Sequence, residues 1–359
     1  MMSFLQTAAV LAQPETFNPE KSLPLSLFDQ ITEIRVHHPE IVEREARRRK
    51  RRSRLTADGK LALVAADHAG RGVTKIRNDQ LAMGDRYQLL ARVRRLLEDP
   101  GLDGILATSD LIDDLLILSH LERDKKGGGF LDGRVLVGSM NRGGLSGTAF
   151  EMDDTFTGMT AEGIARLRCD GGKMLYRLDP QDPASGRTIQ ACAEAVNALR
   201  RHKLPAFVEA LEVKRGADGY HTIQDAAALV RHCGIAAALG ESSAHVWLKL
   251  PYVENFARVC RSTTLPILLL GGPARESPVE TLRDFAAGLS SSPRVRGAVI
   301  GRNLLFPQDR DPLPMCRALT ALIHRGISFD QAVQLLESNV PVLVAPRSNG
   351  SASRRRRQQ

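Results

Sequence analysis

From Lys60 onward, short apolar runs alternate with longer segments whose apolar residues recur every three or four positions. This alternation predicts parallel βα units, because strands covered on both faces read as continuous apolar runs and their covering helices read as amphipathic. Eight candidate strands cover 61–66, 104–108, 134–138, 172–177, 206–211, 245–249, 266–270 and 297–300. Between them, Leu89, Leu90, Val93, Leu96 and Leu97 fall at helical spacing until Pro100 and Gly101 stop the pattern. "DPASGRTIQACAEAVNALRRHK" and "SPVETLRDFAAGLS" read the same way, the latter with Ser277 as N-cap and Pro278 in the first turn.

Eight units in about 270 residues predict a closed (β/α)8 TIM barrel of the α/β class rather than an open doubly wound sheet. The first strand also runs into "DHAGRG", which lacks the G-x-G-x-x-G fingerprint of dinucleotide binding. The third unit is the loosest. Its "GSMNRGGLSGTAFEMDDTFTG" reads equally as a lid, a substrate-binding segment or a plain surface excursion. Residues 1–59 form an N-terminal extension with room for one or two helices, including an Arg-rich one, and with Leu27, Phe28, Ile31 and Ile34 available to dock. The catalytic barrel is assigned to 60–346 and a disordered basic tail to 347–359.

Composition narrows the class without choosing a function. Hydrophobic residues make up 43% and charged residues 25%, and no apolar run approaches the roughly 18 residues of a membrane span. No basic residues precede the short apolar stretch at the N-terminus, so no secretory signal is expected and the protein is placed in the cytoplasm. Five widely spaced cysteines without C-x-x-C fit reduced thiols, not a disulfide framework or a structural zinc site. The net charge is +9, but residues 43–54 hold eight Lys or Arg against two Glu, and 354–357 are four arginines. Without these stretches the chain is nearly neutral, so its basicity belongs to appendages.

In a (β/α)8 barrel the chemistry lies at the C-terminal ends of the strands. Asp67 ends the first strand, Lys173 lies on the fourth, Glu209 on the fifth, and Lys249 on the sixth within "HVWLKLP". Each has a bland explanation alone: a turn residue, a snorkelling lysine, an ion-pair carboxylate. Lys249 resists one, because an ammonium group among apolar neighbours is costly unless neutral or paired. Removal from water and a nearby second cation both favour a neutral, nucleophilic amine. Lys249 is therefore the candidate nucleophile toward a ketone, with Lys173 as polarising neighbour, Glu209 as proton carrier and Asp67 as orienting group. Gly271 and Gly272 after the seventh strand, with Gly301 and Arg302 after the eighth, suggest a phosphate site.

These residues, with "KMLY", "VE", "LKLP", "GG" and "IGRN" around them, resemble the class I Schiff-base aldolases of the DeoC/LacD-like superfamily over about 61–325. The resemblance implies a cofactor- and metal-independent lyase whose sixth-strand lysine, Lys249, forms the Schiff base. It looks nearest to the aldolases of bacterial inositol catabolism, which implies cleavage of 5-dehydro-2-deoxygluconate 6-phosphate to dihydroxyacetone phosphate and malonate semialdehyde. Deoxyribose-phosphate or fructose/tagatose-bisphosphate cleavage is the alternative. The implied partners are a small phosphorylated sugar and further copies of the chain, with no membrane. Strand seven, "LLGGP", departs from the family in lacking the serine that often precedes the glycine pair. A metal-dependent aldolase is disfavoured because the nine histidines show no H-x-x-x-H spacing. A nucleic-acid-binding protein using "RRRKRRSR" is the rival of another class, but no aromatic residue interleaves with the basic stretch to stack on bases.

Overall fold

The structure, a computed structural model, describes residues 16–217 and 219–338. The predicted tail at 347–359 lies outside the described residues. Eight strands form the barrel: β1 (Leu61–Ala66), β2 (Gly104–Ala107), β3 (Val135–Ser139), β4 (Gly171–Leu178), β5 (Ala206–Gly216), β7 (Val246–Pro251), β8 (Ile267–Leu270) and β9 (Val295–Ile300). A further strand, β6 (Gly219–Thr222), folds back antiparallel on the end of β5. Every barrel pairing is parallel, β1 pairs with both β2 and β9, and the β4–β5 pairing completes the ring. The fold is therefore a closed (β/α)8 TIM barrel.

Alternation along the strands creates two cores. Leu61, Leu63, Ala65, Leu106, Val135, Val137, Phe207, Leu268 and Val299 fill the barrel interior. The residues between them, such as Ala62, Val64, Met174, Tyr176 and Val208, pack outward against the helices. The same parity carries Asp67, Lys173, Glu209, Lys249 and Gly301 onto the inward face at the C-terminal end. The helices begin where short polar side chains satisfy free N–H groups: Asp85 accepts from Gln88 N, Asp225 from Ala228 N, and Ser277 from Val279 N ahead of Pro278. One backbone irregularity has a clear cause. Two β8 residues, Ile267 and Leu269, pair with Val295 and Ala298. The extra β9 residue is taken up near Gly297, at φ +122°, where a Cβ would sit 1.9 Å from Leu61 O.

The N-terminal segment supplies helices at Pro19–Ser22, Leu25–His37 and Ile41–Arg48. Ile31 and Ile34 are buried, and Leu27 and Phe28 pack partly buried beside them. The Arg-rich stretch divides in two: Arg44, Arg47 and Arg48 lie on the exposed face of the Ile41–Arg48 helix, whereas arginines just after it reach the barrel. Arg49, 0% exposed by side chain, donates to Arg134 O (2.7 Å), Arg168 O (2.5 Å) and Asp170 Oδ2 (3.2 Å). Arg51 Nε donates to Asp170 Oδ1 (2.8 Å), and Arg52 to Gly133 O and to Asp103 Oδ1 (2.7 Å). Asp103 and Asp170 immediately precede β2 and β4, so these arginines clamp the N-terminal face of the barrel. The expectation that the basicity belongs to appendages is thus corrected in part: Arg49, Arg51 and Arg52 neutralise the buried carboxylates Asp170 and Asp103 of the barrel.

The 140–160 segment has no regular element, and it is tied down. Asn141 bonds Asp154 Oδ2 (2.7 Å) and both backbone groups of Leu175 (2.7 and 2.8 Å), while Glu151, Met152 and Asp154 are buried. Arg142 reaches Gly70 O (2.5 Å), joining this loop to the one after β1. Among the described residues no helix is long and apolar enough to cross a membrane. All five cysteines are free and buried.

Candidate active site

The four ionisable residues singled out in the sequence converge at the C-terminal end of the barrel. Lys249 Nζ donates to Glu209 Oε2 at 2.8 Å. Lys173 Nζ lies 3.0 Å from the same oxygen and donates to Asp67 Oδ2 at 2.8 Å. The chain Lys249–Glu209–Lys173–Asp67 thus links β7, β5, β4 and the end of β1. Lys173 and Lys249 are only 3% and 5% exposed. Pairing with carboxylates, which the desolvation argument left open, is how the structure accommodates both cations.

The electrostatics follow from this order. Burial alone would raise the Glu209 carboxyl, but Lys173 and Lys249 outweigh it and hold it down at about 2. Asp67 is similarly held well below the usual carboxylate range, against burial, by Lys173, His68 and Lys249. Burial would lower Lys173, yet Asp67 and Glu209 raise it above the ordinary lysine value. Lys173 is thus a firmly charged group, and Glu209 stands between it and Lys249 instead of leaving two cations side by side.

The glycines and arginine predicted to hold phosphate line one side of the mouth. Gly272 adopts φ +63° with open space where a Cβ would point, and its carbonyl accepts from Arg302 Nη2 at 3.1 Å. Asn303, which sequence reasoning passed over, locks the two loops together by donating to Gly271 O (2.7 Å) and Pro273 O (2.8 Å) and accepting from Arg275 N (2.8 Å). Gly301 has a reason beyond anion approach: a Cβ there would lie 2.1 Å from Cε1 of His68.

His68 is a second residue the sequence reading missed, although it adjoins Asp67. Its Nδ1 is buried without a hydrogen-bond partner, and the distance to Asp67 Oδ1 is 3.8 Å. Burial, aided by Arg302, Lys249 and Lys173, lowers it to about 4 against the pull of Asp67, so the ring is neutral at neutral pH. Arg71 and Arg177 also reach the mouth, where both bond Gly143 O and Glu151 Oε1. Arg177 was legible in principle, being four residues beyond Lys173 and of the same strand parity. Among the described residues no three His, Cys, Asp or Glu side chains converge as a metal site.

Fold and site together define a TIM-barrel protein with a buried lysine–carboxylate relay on the face where such barrels place their chemistry. The chain belongs to the Cgl0159-like family, whose model matches residues 59–318. The crystal structure of Cgl0159 from Corynebacterium glutamicum is 38% identical, with a TM-score of 0.78 over 84% of this chain and 98% of that one. A fructose-bisphosphate aldolase from Slackia heliotrinireducens shares the fold at 12% identity and a TM-score of 0.60, covering 91% of this chain and 98% of its own. A Schiff-base-forming fructose-1,6-bisphosphate aldolase does so at 19% identity and a TM-score of 0.53, over 79% of this chain and 100% of its own. An uncharacterized aldolase of Saccharolobus solfataricus is 24% identical over 159 residues, which is 44% of this chain and 55% of that protein. The chain therefore matches about half the length of that curated relative.

Proposed function

We propose that this protein is a metal-independent class I aldolase of the DeoC/LacD-like kind, in which Lys249 attacks the ketone of a phosphorylated ketose or keto-sugar acid. The carrying observation is the buried Lys249 Nζ, 2.8 Å from a carboxylate that a second, firmly charged lysine keeps ionised. An ammonium group must lose its proton before attack, and Glu209 is the acceptor already in contact. The freed amine adds to the carbonyl, and loss of water gives an iminium. Glu209, freed by giving its proton to the departing water, takes the proton of the β-hydroxyl; the Cα–Cβ bond breaks with its electron pair passing into the iminium, and the far fragment leaves as an aldehyde. Protonation of the resulting enamine and hydrolysis then release the ketone and restore the lysine. Asp67 fixes Lys173, and Lys173 supplies positive charge near the developing oxyanion. Gly271, Gly272, Gly301 and Arg302 hold the phosphate.

The first substrate to try is 5-dehydro-2-deoxygluconate 6-phosphate, with deoxyribose phosphate and fructose or tagatose bisphosphate beside it. The Schiff-base chemistry named for one structural relative supports the reaction class. Incubation with dihydroxyacetone phosphate and borohydride is expected to add a stable adduct to the peptide carrying Lys249 and to none in Lys249→Arg. Labelling elsewhere, or none in the wild type, overturns the reading. Activity is expected to survive EDTA.

A further inference from the structure

We infer that Arg71 and Arg177 form a second anion subsite, which takes a phosphate or carboxylate on the aldehyde-forming half of the substrate. The inference rests on the aldolase reading above and adds to it the residues that hold the charged end of the fragment released.

The order of strands around the ring places β4 opposite β9 and β3 opposite β8. The predicted phosphate residues follow β8 and β9. Arg177 lies on β4, and the loop it grips follows β3. A ketose phosphate anchored over β8 and β9, with its carbonyl at Lys249 on β7, directs its other end across the mouth toward Arg177. Along β4 the inward positions are Lys173, Leu175 and Arg177, so Arg177 stands roughly 13 Å of strand beyond Lys173, at the rim. The Glu209 carboxylate acts on both Arg71 and Arg302, as expected of guanidinium groups on either side of the central site.

The local chemistry has spare capacity for an anion. Arg71 and Arg177 share a single carboxylate oxygen, Glu151 Oε1, at 3.1 and 2.5 Å, and a single carbonyl, Gly143 O, at 2.8 and 3.0 Å. The other Glu151 oxygen accepts from Gly147 N at 3.0 Å. Asp154 nearby is already bonded to Asn141, and burial raises its carboxyl. Arg177 is 4% exposed and makes both its hydrogen bonds through Nη1. Its Nε and Nη2, with three N–H donors, have no acceptor among the described residues and are not among the fully enclosed unpartnered atoms. A buried guanidinium with an unused fork is suited to bidentate capture of a carboxylate or phosphate. Burial and the neighbouring Arg177 lower Arg71 to about 10, the direction an added anion would reverse. The support is stiff. Gly144, at φ +79°, would bring a Cβ within 1.8 Å of Glu151 O, so only glycine lets the loop close here.

The test is aldol addition of dihydroxyacetone phosphate to three aldehydes: glyceraldehyde, glyceraldehyde 3-phosphate and malonate semialdehyde. Wild-type kcat/KM is expected to favour one charged aldehyde over glyceraldehyde by on the order of tenfold or more. Which one is favoured separates phosphate from carboxylate. In Arg177→Met that ratio is expected to collapse to within about threefold of unity, and Arg71→Met gives the same readout should Arg177→Met not fold. A wild type without preference, or variants that slow neutral and charged aldehydes alike, overturns the subsite. Borohydride trapping with dihydroxyacetone phosphate alone needs no second anion. Adduct at Lys249 without charged-aldehyde preference sinks the subsite only, whereas absence of adduct sinks the aldolase reading.

Discussion

Arg49→Met tests whether the basic stretch is a structural clamp. Methionine retains an apolar stem of similar length but removes all three donations to the base of the barrel. Arg134 O and Arg168 O each lose a charged donor, and an unpaired buried acceptor costs about 1–3 kcal/mol. Asp170 keeps Arg51 Nε at 2.8 Å and Leu136 N at 2.9 Å, so its share is smaller. The total is about 3–5 kcal/mol, in the range for breaking a buried pair from one side. In a barrel of this size roughly 2 °C of melting temperature corresponds to 1 kcal/mol, so Tm should fall by about 6–10 °C. Thermal unfolding followed by far-UV circular dichroism measures this, with exposed Arg44→Met as the control. A loss of less than about 2 °C, or one equal to the control's, would refute the clamp and return the stretch to the free basic patch of the nucleic-acid reading.

Glu209→Gln should lower kcat by about 10²- to 10⁴-fold, the range for a lost proton carrier, and a rate near wild type removes Glu209 from that role. Because Glu209 is held at about 2, below its ordinary 4.5, its stabilisation is present above about pH 4.5 and lost as pH falls toward 2. Lys173→Met removes one of the two cations responsible, so its acid unfolding midpoint should move to higher pH. His324 gives the opposite sign: its ring nitrogens lie 2.8 Å from Asp58 Oδ2 and 3.0 Å from Asp103 Oδ2, and despite the burial that lowers it, these carboxylates raise it above 6.5. Its contribution is complete below pH 6.5 and lost as pH rises through the raised value, so the Tm gap between wild type and His324→Gln should narrow as pH rises above 6.5. A gap that widens over that range contradicts the assignment.

The barrel was legible because strands covered on both faces write themselves as apolar runs, and each of the eight reappears within a few residues of its predicted place. β5 continued past Leu211 unnoticed, and β6 was not foreseen, because "EVKRG" and "GYHT" are mostly polar and only Val213 among them is buried, so they carry no burial signal. The four central site residues were legible for the converse reason: a charge inside an apolar run contradicts its surroundings and draws attention. His68 and Glu151 lie in loops, and Arg71 and Asn303 in single short turns of helix beyond β1 and β9; in both settings a polar residue is ordinary, and no periodicity marks which of them turn inward.

By itself the sequence determined the repeating unit, the inward parity of Asp67, Lys173, Glu209 and Lys249, and the presence of lysine where lysine is costly. Those are local properties, set by a two-residue period and by the solvation of single side chains. Only the tertiary structure decided that Glu209 would stand between the two lysines, that Arg49 would bond the barrel's base, and that β4, which carries Arg177, would lie opposite β9, which Arg302 follows. The first joins neighbouring strands and the others join segments far apart along the chain. Such partners meet only once the strands have paired and the sheet has no remaining edge.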